Sequence, residues 1–398
     1  MTDTDPAVRP CPPGSPQPSG APDREPTEWH SLQIRYYQDD KDALLLDAVR
    51  PLFAELADVA ELPYFQQHWR RGPHLRLNLR TTPTAWREVV RPAAEERLTA
   101  FLRRSPSTAV LDEARETARH ARKAALLDER GALSPWYPDN TLQTEPYEDR
   151  LHVLGSPQLA DLLDAGHAAS TRLAFPLLEH VRRTGHSRLR PALWLMFTFA
   201  HTSLPPVSRG FMSFASHAEG FFAQCADPDA VRAAFEARFR QLRGELGDDL
   251  AAVLDTLDGS GRLPFVADWA RYVRDRKAAA LPLLEEGLID LDHAERTPLT
   301  AEPQLGELLG LLLGNESYQR EVMSTTWFRC HRLAVNQLYT HLDRLGLSIT
   351  QRFLLCYLAA RTVEETFGVS ALDRARAYVD RHPATPTPET ADPRRSRA

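Results

Sequence analysis

The stretch Tyr64-Phe-Gln-Gln-His-Trp69, Arg70-Arg-Gly-Pro73, His74-Leu-Arg-Leu-Asn-Leu-Arg80 decides how the rest of this sequence is read. Side chains alternate across a strand, so Leu75, Leu77 and Leu79 share one face, and His74, Arg76, Asn78 and Arg80 share the other. The Arg-Arg-Gly-Pro link predicts a β-hairpin, and its proline excludes a tight two-residue turn at Gly72-Pro73. Upstream, Leu32, Ile34 and Tyr36 alternate with Gln33, Arg35 and Tyr37, which predicts another half-buried strand. Helical spacing over 40–56, kinked or restarted at Pro51, and a helix over 83–103 complete a strand–helix–hairpin–helix layer.

From about Leu111 onward the spacing is mostly helical, broken by an irregular segment over 135–147. Helices are predicted over 156–184, 187–201, 208–222, 229–242, 264–283, 301–313, 317–345 and 348–367. Gly346 fits a helix stop, and Ser348-x-x-Gln351 ahead of an apolar run fits a capping box. The fold class is therefore α+β: a small antiparallel sheet layer with a larger, mostly helical body. It divides into an α+β portion over 28–155 and a helical portion over 156–382 packed on it.

Composition sets the outer bounds. The chain has 398 residues, 42% of them hydrophobic, which is enough for a real core and excludes general disorder. Net charge is −6, and this acidic balance argues against nucleic acid as a partner. Residues 1–27 and 383–398 are rich in Pro, Ser, Asp and Thr and are read as disordered tails without a signal peptide. The most apolar run, 193–199, is far short of the ~20 residues a membrane helix needs. Cys11, Cys225, Cys330 and Cys356 make neither a disulfide framework nor a paired zinc site, so a cytoplasmic location is expected. Lysine occurs only at Lys41, Lys123 and Lys277, all expected on exposed helical surfaces, which argues against Schiff-base chemistry. No Gly-x-Gly-x-x-Gly, phosphate loop, His-Glu-x-x-His or Gly-x-Ser-x-Gly is present, so no cofactor or metal is implied.

Three groups of residues carry possible chemistry. The polar face of the hairpin, His74, Arg76, Asn78 and Arg80, offers fixed donors to a carbonyl or oxyanion, with Arg70 in the preceding turn. A strand with one solvated side shows the same alternation, and the pattern by itself favours that plainer reading. Next, Ser213, Ser216 and Gly220 lie on one helical face of Arg209–Phe222, with His217 one turn beyond Ser213. Ser216-x-x-Glu219 in the same stretch matches a capping box. Last, a helix carries Trp327, Cys330, His331, Arg332, Asn336 and Tyr339; its apolar stripe places Trp327 and Cys330 in the core and leaves His331 and Tyr339 flanking it.

The run from Trp29 to Arg80, with Phe65-x-x-x-Trp69 ahead of Gly72-Pro-His-Leu-Arg-Leu77, resembles the C-terminal elimination domain of nisin-type lanthipeptide dehydratases and the related stand-alone thiopeptide-type proteins. The resemblance covers roughly 29–380. It implies one of two activities: elimination of glutamate from glutamylated Ser or Thr, or a formal [4+2] cycloaddition of two dehydroalanines that builds a pyridine-type ring with loss of water and leader peptide. Trp327 stands where elimination-type members have a histidine, and the His68-Trp-Arg-Arg-Gly-Pro-His-Leu-Arg form looks more like the pyridine synthases.

The resemblance thus implies a peptide-modifying enzyme of thiopeptide maturation that forms the central ring. Its partners would be a modified, leader-bearing precursor peptide and other pathway enzymes, not nucleic acid or membrane. His74 and Arg76 are the expected polarising donors; Ser213, His217, Tyr339 and His331 are the acid–base candidates. Arg70, Asn78, Arg80, Ser216 and Glu219 are expected to hold substrate, with leader peptide added as a strand at the sheet edge. The alternatives are a stand-alone glutamate-elimination lyase and a non-catalytic leader-binding scaffold. All of the expected chemistry depends on one cleft between sheet and helices.

Overall fold

Strands β1 (Glu28–Arg35), β2 (Glu61–His68), β3 (His74–Thr81) and β4 (Thr141–Glu145) form one antiparallel sheet in the order β2-β3-β1-β4. These strands come from a computed structural model that describes residues 25–291 and 306–383. The tails expected over 1–27 and 383–398 lie outside the described residues, apart from 25–27 and 383. The predicted hairpin is present: His68 pairs with His74, and the turn places Arg71 and Gly72 at positive φ, +57° and +99°. Gly72 is needed here twice over, because a Cβ on it would also collide with the Tyr37 phenol. β4 falls inside the stretch expected to be irregular. It has one strongly apolar residue, Leu142, and its order comes from pairing with β1, about a hundred residues earlier in the chain.

Helix α1 runs through Asp42–Leu44, a π turn at Leu45–Val49, and Arg50–Glu55; α2 repeats the plan with Pro83–Ala85, Trp86–Val90 and Arg91–Arg104. In both, the π turn immediately precedes the turn that begins with a proline (Pro51, Pro92), so the missing N–H is absorbed and the helix continues. The remaining longer helices are α3 (Glu113–Leu127), α4 (Pro157–Thr184), α5 (Leu189–Ser203), α6 (Met212–Phe222), α7 (Pro228–Leu257), α8 (Val266–Glu285), α9 (Thr326–Arg344), α10 (Ile349–Phe367) and α11 (Ala371–Arg381). Ser348 and Gln351 close the expected capping box on α10. Of the helix predicted over 301–313, residues 301–305 lie outside the described part, and Glu307–Leu313 is helical.

Three helical expectations change. The helix expected over 317–345 breaks at Ser324-Thr325, where Thr325 turns to extended backbone and α9 starts anew. α7 extends to Leu257 instead of stopping near 242, because Leu246, Leu250 and Val253 continue its buried stripe past Gly244 and Gly247. α6 begins at Met212, so Ser216-x-x-Glu219 lies inside a helix and caps nothing; Glu219 instead takes a two-pronged ion pair from Arg232 at 2.5 and 2.8 Å.

The apolar face of the sheet, Leu32, Ile34, Phe65, Leu75, Leu77 and Leu79, belongs to one core with Leu45, Leu52, Leu98 and Phe101 of α1 and α2. Phe65 also meets Phe175 of α4. In the helical body, α8 packs against α5 and α9, and α6 against α10. Cys330 is buried as expected, but Trp327 is 39% exposed: it sits in the first turn of α9 under the Arg209 guanidinium, not in the core. Lys41, expected on the surface, is buried with its ammonium on the Gln38 carbonyl. Among the described residues no helix is long and apolar enough to cross a membrane.

Candidate functional site

The polar face of the sheet is not solvated. Ser31, Gln33, Arg35, His74, Arg76 and Asn78 are all buried, because the chain on either side of β4, with Glu129 and Tyr137 before it and Tyr147 to Arg150 after it, and the first turns of α4 roof that face. Guanidinium groups moved out of water must be paired, and they are. Arg76 donates to Glu148 at 2.9 Å and lies 3.7 Å from Glu129. Arg70 pairs with the other Glu148 oxygen. His68 presents Nε2 to Glu129 at 3.3 Å while its Nδ1 accepts the Arg70 amide proton, which sets its tautomer. The His74 ring lies between Arg35 and Arg76, with Nδ1 2.8 Å from the Gly72 carbonyl and Nε2 facing Arg76 Nε at 3.4 Å. Burial, and then neighbouring His68 and the two guanidinium groups, hold it well below the ordinary histidine value, so it is a neutral spacer between cations.

These groups open onto a cleft of about 440 Å³ between the sheet, α4 and α9. One wall carries Arg76, His68, Glu129 and Glu148; a second carries Tyr64, Tyr147 and Asp164; α9 closes the third side with Asn336, Asp343 and Arg344. Tyr147 donates to one Asp164 oxygen at 2.7 Å and Tyr64 to the other at 2.8 Å. Burial raises the Asp164 carboxyl against the lowering effect of those two hydrogen bonds. Arg344, fully buried, fixes α9 to the sheet by donating to the Phe65 carbonyl at 2.8 Å. That contact occupies one carbonyl on the outer edge of β2, and β4 forms the opposite edge of the sheet. A larger cavity, about 970 Å³ between α1 and α4, is lined largely by Phe53, Phe175, Phe265 and alanines; its lining also carries the solvent-exposed Arg50–Glu179 ion pair at 3.2 Å, in contrast to the buried pairs of the cleft.

Ser213, His217, His331 and Tyr339 lie on the other side of α9 and do not line the cleft. They meet in two partly buried pairs, of which His331 is the fully buried member. His331 bridges two hydroxyls, Ser203 Oγ at Nδ1 (2.8 Å) and Ser213 Oγ at Nε2 (2.6 Å). His217 Nδ1 lies 2.5 Å from Tyr339 Oη, which is 3.3 Å from Cys356 Sγ. Burial is the main cause that pushes His217 down to about 4 and His331 to about 3, so both are neutral at ordinary pH.

The family model for the lantibiotic biosynthesis dehydratase C-terminal domain matches residues 29–363. The chain belongs to this family. Among solved structures, this dehydratase C-terminal family member is similar to one described as the pyridine synthase TbtD from thiomuracin biosynthesis. They share 32% identity at a TM-score of 0.70, over 86% of this chain and 99% of that one. TsrL has the same fold, with 21% identity and a TM-score of 0.66 over 88% of this chain and 98% of that one. No curated protein matches the chain.

The sequence-predicted residues therefore fall into three groups in this family member. Arg76 lines the cleft, and His74 and Arg70 come together with it from behind, His74 against its guanidinium and Arg70 on the Glu148 it shares. Ser213 with His331, and His217 with Tyr339, come together behind α9. Arg80 is half-exposed at the far end of β3 on Thr27 and Glu61, Asn78 is buried beneath Tyr64, and Ser216 and Glu219 stay on α6 away from the cleft. The single cleft expected to hold all the chemistry is not formed by the two sets jointly. Sequence reasoning missed Glu129, Tyr147, Glu148 and Asp164. His68 was findable: it shares the polar face of the hairpin with His74, the residue it pairs with.

Proposed function

We propose that this protein matures a thiopeptide by joining two dehydroalanines of a leader-bearing peptide in a formal [4+2] cycloaddition, with loss of water and leader. The similarity to the thiomuracin pyridine synthase, 32% identity across nearly the whole of that protein, carries the reading. The chemistry of the cleft agrees with it. One backbone amide must become an iminol to act as a diene, which takes a proton to oxygen and one off nitrogen. Arg76, held by Glu148 and oriented past His74, is the group to polarise that amide oxygen, and Arg70 anchors the same carboxylate. Confining both alkenes in about 440 Å³ saves the entropy of their encounter. The Ser213–His331 and His217–Tyr339 pairs fix the rotation of α9, and with it the Asn336–Asp343 side of the cleft. The precursor peptide is the partner this reading requires.

Glutamate elimination, the other activity the family resemblance implies, uses a different substrate. Purified protein incubated separately with a bis-dehydroalanine peptide and a glutamylated-serine peptide, followed by mass spectrometry, separates the two. Ring formation from the first supports the proposal; loss of glutamate from the second replaces it.

A further inference from the structure

The wall of the cleft facing the Arg76 cluster holds an arrangement that ion pairing does not explain. Asp164, 6% exposed, takes both of its hydrogen bonds from phenols, Tyr147 at 2.7 Å and Tyr64 at 2.8 Å, rather than from a guanidinium or ammonium group. The two phenol oxygens lie 3.3 Å apart. The Tyr147 ring is stacked on Trp29, with centroids 4.9 Å apart and planes at 16°, and Trp29 meets the Tyr64 ring edge-on at 5.6 Å. Both phenols are thus held rigidly, and both line the cleft together with Asp164. A buried carboxyl whose neighbours are neutral hydroxyls is inexpensive to protonate, because no cation stabilises its charged form. The titratable groups facing it are Tyr64 from β2, Tyr147 and Asp149 from the chain after β4, and Asp161 from α4 itself; Arg344 from α9 lines the same cleft but acts on Tyr64 and His167. Burial leads in raising its carboxyl, and Asp161 and Asp149 add to it.

We propose that Tyr147 is the proton donor to the substrate amide oxygen and that Asp164 is the positioning residue that recharges it. This rests on the ring-forming reading above. With Asp164 protonated, its O–H donates to Tyr147 Oη and the phenol's own proton is directed into the cleft. The Tyr147 proton passes to the amide oxygen, the Asp164 proton passes to Tyr147, and the amide N–H proton leaves to water in the open cleft. The amide C(=O)–NH becomes the iminol C(OH)=N, two protons having each moved one place along the chain and one having gone to solvent. The Asp164 carboxylate that results accepts from both phenols, which is the hydrogen-bonding seen in the structure. Asp164 recovers its proton from solvent before the next turnover.

The test is steady-state kinetics across pH on wild type, Tyr147→Phe and Asp164→Asn, with a leader-bearing bis-dehydroalanine peptide as substrate and circular dichroism on each protein. Tyr147→Phe keeps the stack on Trp29 and is expected to lower kcat about 100-fold with KM within about threefold. Wild-type activity is expected to fall as pH rises through the Asp164 titration. Asp164→Asn still donates to Tyr147 but has no proton to pass on; it is expected to lose about tenfold in kcat and to lose that alkaline limb. Wild type that forms the ring while Tyr147→Phe matches it, or Asp164→Asn that keeps the limb, overturns the assignment and leaves the ring-forming reading standing. Wild type that forms no ring overturns both. Should Tyr147→Phe fail to fold, the Asp164→Asn profile decides alone.

Discussion

Arg76 shows how much one side chain has to satisfy in a buried polar layer. It lies on a strand face that sequence alternation marks as polar, yet it is 7% exposed and lies between Glu129 and Glu148. Removing its charge leaves two carboxylates with Arg70 as their one neighbouring guanidinium and, for Glu129, the neutral His68 ring. Arg76→Gln is expected to cost about 3 kcal/mol in urea unfolding, the range found when one partner of a buried pair is removed. Activity should be lost with it. Arg76→Lys keeps the charge but cannot span both acids, so it should recover stability more fully than turnover. Equal recovery of both would show that geometry at Arg76 is irrelevant. The sequence displayed this residue but not its partners. Glu129, Tyr147 and Glu148 lie in a segment without periodicity, and their placement depends on β4 pairing with β1.

At the level of single elements, α9 carries the clearest pH signature. Burial holds His331 and His341 at about 3, while the unfolded chain protonates them near the ordinary value of about 6.5. Below that value the unfolded state binds protons that the native state refuses. Stability should therefore be full above about pH 6.5 and fall as pH drops toward 3, by up to about 1.4 kcal/mol per pH unit for each histidine. Thermal melts at pH 7.5, 6 and 5 should show a falling midpoint, and His331→Gln should flatten the slope; a midpoint that rises with acid contradicts this. The turn ahead of α6 offers a steric counterpart. A Cβ on Gly210 would run into the Ala200 backbone carbonyl of α5, so Gly210→Ala should lose about 2 kcal/mol by chemical denaturation. Helical periodicity located these elements well, because each buries one stripe. It misplaced Trp327 because the first turn of a helix can overhang the body it packs on.

On the scale of the whole molecule, the α+β architecture was legible because hairpin alternation and helical spacing are local signals. What covers the polar sheet face was not, since a polar strand reads alike whether water or another polar surface lies over it. That cover turns a half-solvated sheet into a cleft with an acidic–basic wall and a phenol–carboxyl wall. α9 stands between the hairpin residues and the Ser213–His331 and His217–Tyr339 pairs. The central claim, that this cleft closes a nitrogen ring on a captive peptide, is tested most directly by intact-mass analysis of a leader-bearing bis-dehydroalanine peptide after incubation with the pure protein. The account predicts a smaller ring-containing product and leader released as its carboxamide. Recovery of the peptide bound but unaltered, or leader released as a carboxylic acid without ring formation, would contradict it.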